Sequence, residues 1–219
     1  MATYALIHGA GDVGWYWHLV AAELRDRGHD TVAPDLPCED ESAGLPEYAD
    51  TVVQAIGNRR KLVVVAQSFG AFTAPLVCER VPVDLLVLVA GLVPAPGEPP
   101  RDWWASTGYE PQRGDWPVDE RSIFYHDVPA ELAAEALDRS RGQSDTPGEE
   151  PWPLTAWPEV PTSFVLCRED RLLPAEFLQR VVQDRLGIEP DELDAGHCVA
   201  LSRPEELAAR LDAYRQDRS

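Results

Sequence analysis

The sequence predicts an α/β fold: a doubly wound, mostly parallel sheet of about six strands with an inserted cap. Three features predict it. Short apolar, β-branched runs alternate with stretches of helical period along most of the chain. The runs at 62–66 and 83–90 carry almost no polar side chain (Asp84 is the exception), so they read as strands buried on both faces, as in a parallel sheet. Between 94 and 161 the alternation stops and Pro, Trp and Asp/Glu accumulate, which marks an insertion lying over the sheet. The chain therefore divides into a core, 1–93 and 162–219, and a cap, 94–161.

Taken in order, residues 4–7 form a short strand that runs into His8-Gly9-Ala10-Gly11. A helix over about 15–27 follows, stopped by Gly28. Residues 31–33 are a second strand, ending at Pro34-Asp35-Leu36-Pro37, and an acidic loop at 39–41 leads to a helix near 46–56. The strand at 62–66 turns through Ser68 into a helix at 69–79, which Pro75 would kink. The strand at 83–90 closes at Gly91, and the cap holds one clear amphipathic helix near 129–141. Alternation resumes with a strand at 162–167 and a helix at 174–186, in which Leu178, Val181, Val182 and Leu186 share a face. A weak strand at 189–193 precedes Gly196-His197. The final helix carries a capping box, Ser202 and Glu205, and a face of Leu207, Leu211 and Tyr214.

The 219 residues suit one domain with a substantial core, and 44% hydrophobic against 26% charged residues suits a globular protein. A formal charge of −19 disfavours nucleic acid and anionic membrane surfaces as partners, since both need a positive footprint. Lys61 is the only lysine and opens a strand far from the turn at Ser68, which argues against Schiff-base chemistry. Cys38, Cys78, Cys167 and Cys198 are widely spaced without a CxxC, so they make neither a zinc site nor a disulfide framework. The N-terminus lacks a signal peptide's basic and apolar regions, and no apolar run reaches transmembrane length. The expectation is a cytoplasmic protein with reduced thiols. The sequence is silent on oligomeric state and leaves a homodimer open.

Ala66-Gln67-Ser68-Phe69-Gly70 is the stretch on which the chemistry turns. A chain passing from strand to helix within a few residues has room only for small neighbours, and Ala66 and Gly70 supply that clearance. A serine at such a turn is strained, with its hydroxyl above the sheet and the next amide at a helix N-terminus. The pentapeptide alone also describes an ordinary helix N-cap, so its partners decide. A serine nucleophile needs a base, a group that orients the base, and amides for the oxyanion. Asp170 follows the strand at 162–167, and His197 follows the last strand, both at the sheet edge where ligands bind.

With those residues in place, the chain resembles a small α/β-hydrolase over nearly its whole length, with a core lacking that fold's first two strands. His8-Gly9-Ala10-Gly11 resembles the oxyanion loop, Ala66-Gln67-Ser68-Phe69-Gly70 the nucleophile elbow, Asp170-Arg171-Leu172-Leu173-Pro174 the acid loop and Gly196-His197 the histidine loop. The His-Gly-Ala start followed by Trp15 and Trp17 is further similar to plant methylesterases, hydroxynitrile lyases and their bacterial relatives. The resemblance implies Ser68 as nucleophile, His197 as general base and acid, Asp170 as its orienting carboxylate, and the amides of Ala10 and Phe69 as oxyanion donors. It implies no cofactor and no metal.

Other assignments compete. Glu169 stands beside Asp170, and Asp194 is close to His197; Asp170 alone fits the Asp-Arg-x-x-Pro pattern. His8 reads as a structural histidine or as a participant in the site. His126-Asp127 reads as a metal fragment or as polar cap residues; no further ligand stands nearby, which favours the second. His18 and His29 read as surface residues, and Cys198 as packed rather than reactive. Trp103, Trp104, Trp116, Trp152 and Trp157 either anchor the cap or line an apolar pocket. The pocket residues expected are His8, Trp15, Trp103, Trp104, Tyr109, Phe124 and Leu172.

In the related hydroxynitrile lyases a lysine follows the histidine, where this chain has Cys198, so cyanohydrin cleavage is not expected. The expected activity is hydrolysis of a small apolar carboxylic ester, thioester or lactone through an acyl-enzyme. Two alternatives stand beside it: a lyase, decarboxylase or cyclase using the same pocket on a natural-product intermediate, and a ligand-binding protein on a hydrolase scaffold.

Overall fold

Six parallel strands, β1 (Thr3–Ile7), β2 (Asp30–Val32), β3 (Leu62–Gln67), β4 (Leu85–Val89), β5 (Thr162–Cys167) and β6 (Asp191–Leu193), lie in the order β2-β1-β3-β4-β5-β6. They belong to a computed structural model that describes residues 1–109 and 119–216. The register pairs Ile7 with Ala66, Gln67 with Val89 and Cys167 with Leu193, which brings the carboxyl ends of the strands to one edge.

Ten helices accompany the strands among the described residues: α1 (His18–Asp26), α2 (Leu45–Ile56), α3 (Ala74–Cys78), α4 (Trp103–Ser106), α5 (Glu120–Phe124), α6 (Ala130–Arg139), α7 (Thr146–Glu149), α8 (Ala175–Leu186), α9 (Val199–Ser202) and α10 (Pro204–Gln216). Strand side chains alternate in direction, so each face of the sheet builds its own core. On one face Leu6, Val63, Val65 and Val87 pack with Val20 and Leu24 of α1 and Leu207 and Leu211 of α10. On the other, Ile7, Val64, Ala66 and Leu88 pack with Val52 of α2, Val77 of α3 and Val182 of α8. The fold is the predicted α/β sheet, wound on both faces, with helices α4 to α7 all lying between β4 and β5.

Three local expectations change. The helix predicted across 69–79 is a 3₁₀ turn, Ser68–Phe72, followed by α3, and Pro75 occupies the first turn of α3, where its missing N–H costs nothing. Ser202 does not cap the last helix. It ends α9, its hydroxyl is buried without a partner among the described residues, and Pro204 restarts the chain as α10. His29 is buried rather than at the surface: its Nδ1 accepts the Ala2 N–H at 3.2 Å and its Nε2 lies 3.0 Å from Asp212. No helix among the described residues is long and apolar enough to cross a membrane.

Candidate active site

The turn after β3 puts Ser68 at φ 52°, a left-handed conformation that a residue with a Cβ adopts only under strain. The carbonyl of Ser68 accepts the Leu92 N–H at 3.1 Å, tying the turn to the end of β4. Gly70 makes the turn possible: a Cβ there would lie 2.6 Å from the His8 carbonyl oxygen, so any side chain would push the turn off β1. That packing carries the loop after β1 over Ser68, where Ala10 and Phe69 line the same cavity as the serine.

Asp170 and His197 come from the loops after β5 and β6. His197 Nδ1 and Asp170 Oδ2 are 2.7 Å apart with both side chains almost wholly buried. The other carboxylate oxygen, Oδ1, accepts the backbone N–H groups of Leu172 at 2.8 Å and Leu173 at 2.9 Å. A carboxylate held by three donors stays an acceptor, so it keeps the proton on Nδ1 and leaves the Nε2 lone pair available. Gln67, the residue before Ser68, donates from Nε2 to the His197 carbonyl at 3.3 Å, which links the two loops directly. Ser68 and His197 line a cavity of about 810 Å³; its apolar wall includes Phe69, Leu92, Trp104, Phe124, Leu137 and Leu172.

The neighbouring acids lie elsewhere. Asp194 pairs with Arg168, and Glu169 contributes its backbone, its N–H donating to the Ala195 carbonyl at 3.0 Å. Cys198 borders the cavity with a buried thiol that desolvation holds well above its ordinary pKa, so it stays protonated.

Of the expected pocket residues, Trp104, Phe124 and Leu172 line the cavity and the others do not. His8 is fully buried: Nδ1 donates to the Gly9 carbonyl at 2.8 Å and Nε2 accepts the Leu36 N–H at 3.0 Å. Burial lowers its pKa to about 4, against a weaker opposing pull from the Gly9 bond, so it holds the loop as a neutral ring. Trp15 stacks on His18 at 4.3 Å and lies under the Arg139 guanidinium. Trp103 is completely buried, its indole N–H donating to the Val93 carbonyl at 2.8 Å. Tyr109 supports the wall from behind, donating its hydroxyl to the Leu172 carbonyl at 2.7 Å. Trp152 and Trp157 are anchors as well: their indole N–H groups reach the Phe72 carbonyl and the Thr162 hydroxyl. Trp116 lies outside the described residues.

Two groups escaped the sequence reading. Asp12 borders the cavity, its carboxylate accepting the Val13 N–H at 2.8 Å, and desolvation raises its pKa to about 6. Its only signal is its place two residues after Ala10. Arg141 and Gln143 grip the same loop from the insertion: Arg141 N–H donates to the Gly11 carbonyl at 2.7 Å, and Gln143 Oε1 accepts the Gly11 N–H at 3.1 Å. No local pattern announces a contact that spans so much chain.

The chain belongs to the alpha/beta hydrolase family, whose sequence model matches residues 5–210. Among its relatives, Methylesterase 7 of Arabidopsis thaliana is 25% identical over 95% of this chain and 94% of its own. Norfluorocurarine synthase 1 of Strychnos nux-vomica is 23% identical over 93% of this chain and 91% of its own. The crystal structure of a pyrethroid hydrolase from Sphingobium faniae superposes with a TM-score of 0.80 at 24% identity, covering 98% of this chain and 97% of that one. Within the family the chain groups with the methylesterase-like members. It is an enzyme of the hydrolase class with esterase relatives.

Proposed function

We propose that the protein is a cofactor-free serine hydrolase that cleaves a small, apolar carboxylic ester through an acyl-enzyme. The observation that carries this reading is the buried 2.7 Å bond between Asp170 and His197, made beside a strained Ser68 at one cavity. In the proposed reaction His197 Nε2 takes the Ser68 hydroxyl proton as Oγ attacks the ester carbonyl. Asp170 stabilises the imidazolium so formed. The amides of Phe69 and Ala10 hold the oxyanion, and each such donor is worth ~10²–10³ in rate. The imidazolium then protonates the departing alcohol, and water, activated by the same ring, releases the acid.

The apolar wall supports a substrate with a hydrocarbon or aromatic acyl group. The unpaired cysteines support a reducing compartment, and we place the protein in the cytoplasm. Kinship with a protein named as a synthase supports a second reading, non-hydrolytic chemistry in the same pocket.

Intact-protein mass spectrometry after exposure to a fluorophosphonate, with turnover of an aryl ester followed in parallel, separates the two. The hydrolase reading expects one adduct, on Ser68, absent from Ser68→Ala and His197→Ala. A folded protein that takes up no probe would overturn it. Turnover of a candidate substrate that survives Ser68→Ala would establish the second.

A further inference from the structure

We propose that His126 and Asp127 form a clasp that positions the acid and the base, so that the insertion is part of the catalytic apparatus and not only a cover. The proposal deepens the serine-hydrolase reading and rests on it. The two residues are adjacent, just beyond α5, and each binds the backbone of the residue preceding one member of the dyad. Asp127 Oδ2 accepts the N–H of Gly196, immediately before His197, at 2.8 Å. His126 Nε2 lies 3.0 Å from the carbonyl oxygen of Glu169, immediately before Asp170, so that nitrogen is the donor. The Glu169 N–H to Ala195 carbonyl bond, 3.0 Å, already joins the two loops, and the clasp braces that joint from outside.

The packing is close enough to dictate the glycine. A Cβ on residue 196 would fall 2.5 Å from Asp127 Oδ1 and 2.7 Å from His126 Nε2, so the two cap side chains occupy the space a larger residue would need. Phe124 adds a third contact, its ring edge-on to His197 with centroids 5.4 Å apart. Asp127 Oδ1 is buried without a hydrogen-bond partner among the described residues. A side-chain oxygen left without a partner is a costly occupant for a position with only a packing role, whereas the other oxygen, accepting the Gly196 N–H, fixes the backbone next to His197. A metal site does not account for the pair, since no group of three or more potential ligands occurs among the described residues.

Neither Asp127 nor His126 is among the residues that line the cavity; they are positioning residues. Their loss should lower kcat while leaving KM nearly unchanged. The test compares the parent protein with Asp127→Ala, Asp127→Asn, His126→Ala and His126→Gln on one aryl ester, with the low-field ¹H resonance of the His197 Nδ1 proton recorded for each.

Asp127→Ala should lower kcat about tenfold or more, with KM within about threefold, and should broaden or erase the low-field resonance, because small misplacements of reacting groups carry large rate penalties. Asp127→Asn keeps an oxygen for the Gly196 N–H and should recover most of that loss. His126→Ala and His126→Gln should repeat the contrast more weakly. Unchanged kcat and resonance in Asp127→Ala, an effect on KM alone, or Asp127→Asn as impaired as Asp127→Ala would each overturn the clasp. Should Asp127→Ala fail to fold, the half-exposed His126 pair decides: His126→Ala with the parent's kcat and resonance overturns it. A folded parent protein that takes up no fluorophosphonate refutes the hydrolase reading instead, and the resonance still tests the clasp.

Discussion

Phe124 meets His197 edge to face, with ring centroids 5.4 Å apart and planes inclined at 61°. The same phenyl ring lines the cavity beside Ser68, so one side chain both restrains the imidazole and presents an apolar surface to the substrate. Phe124→Ala removes an aromatic pair worth ~1 kcal/mol and part of the substrate's contact area. The expected result is a fall in kcat/KM of about tenfold for an aryl ester, shared between KM and kcat. For a substrate too short to reach Phe124, only the kcat part should remain. Steady-state kinetics on an acyl-length series checks this, and a loss independent of acyl length would assign Phe124 to the imidazole alone.

His8 sets an acid limit on stability. Its folded-state pKa is lowered from 6.5 to about 4, first by burial, so between those values the unfolded chain binds a proton that the folded chain does not. Stability is therefore fully present above pH 6.5 and is lost as pH falls toward 4, by up to about 3 kcal/mol. His8→Gln retains an acceptor for the Leu36 N–H without titrating. Its melting temperature should fall less steeply across that window than the parent's. His8→Phe strands the Leu36 N–H and should cost about 2 kcal/mol at neutral pH, a deficit that shrinks toward pH 4 as the parent loses the His8 contribution. Parallel curves for parent and His8→Gln would remove His8 from the acid limb.

Asp12 works in the opposite direction. Desolvation is the main cause raising its pKa from 3.8 to about 6, so the folded chain holds a proton that the unfolded chain has released. Stability from this group is complete below pH 3.8 and is lost as pH rises through 6, leaving an ionised, poorly solvated carboxylate at neutral pH. Asp12→Asn should stabilise the protein by about 1–3 kcal/mol at pH 7 to 8, the gain vanishing below pH 4. Thermal melts across that range measure it, and a gain that does not depend on pH would point to packing instead.

The parts of the site that read directly from the sequence are those fixed by local geometry. A buried strand followed by Ser68 between Ala66 and Gly70 admits few structures, and Asp170 and His197 lie at strand ends because the alternation of elements puts them there. Contacts between distant segments left no such mark. Trp103 and Trp104 are neighbours in sequence, yet one is buried with its N–H on Val93 and the other lines the cavity; their directions depend on where α4 docks. His126 and Asp127 read as cap polar residues because Glu169 and Gly196 are far along the chain. Ser202 fits a capping box on spacing alone, but Arg203, with a non-helical backbone before Pro204, breaks the helix where the box would form.

The strain at Ser68 can be separated from its chemistry. At φ 52° a residue with a Cβ carries about 1–3 kcal/mol of backbone strain, and the surrounding packing sustains it. Ser68→Ala removes the hydroxyl but keeps the Cβ, so it should lose ester turnover and fluorophosphonate labelling while remaining strained. Ser68→Gly loses the same chemistry and relieves the strain, offset in part by the greater freedom of glycine in the unfolded chain. The glycine variant should therefore be the more stable of two inactive proteins by about 1 kcal/mol, which for a chain this long is about 2–4 °C in melting temperature. Equal melting temperatures would mean that the turn accommodates a side chain without cost. Stability would then exert no pull against the serine, and its left-handed conformation would be a consequence of packing around Gly70 rather than strain held for catalysis.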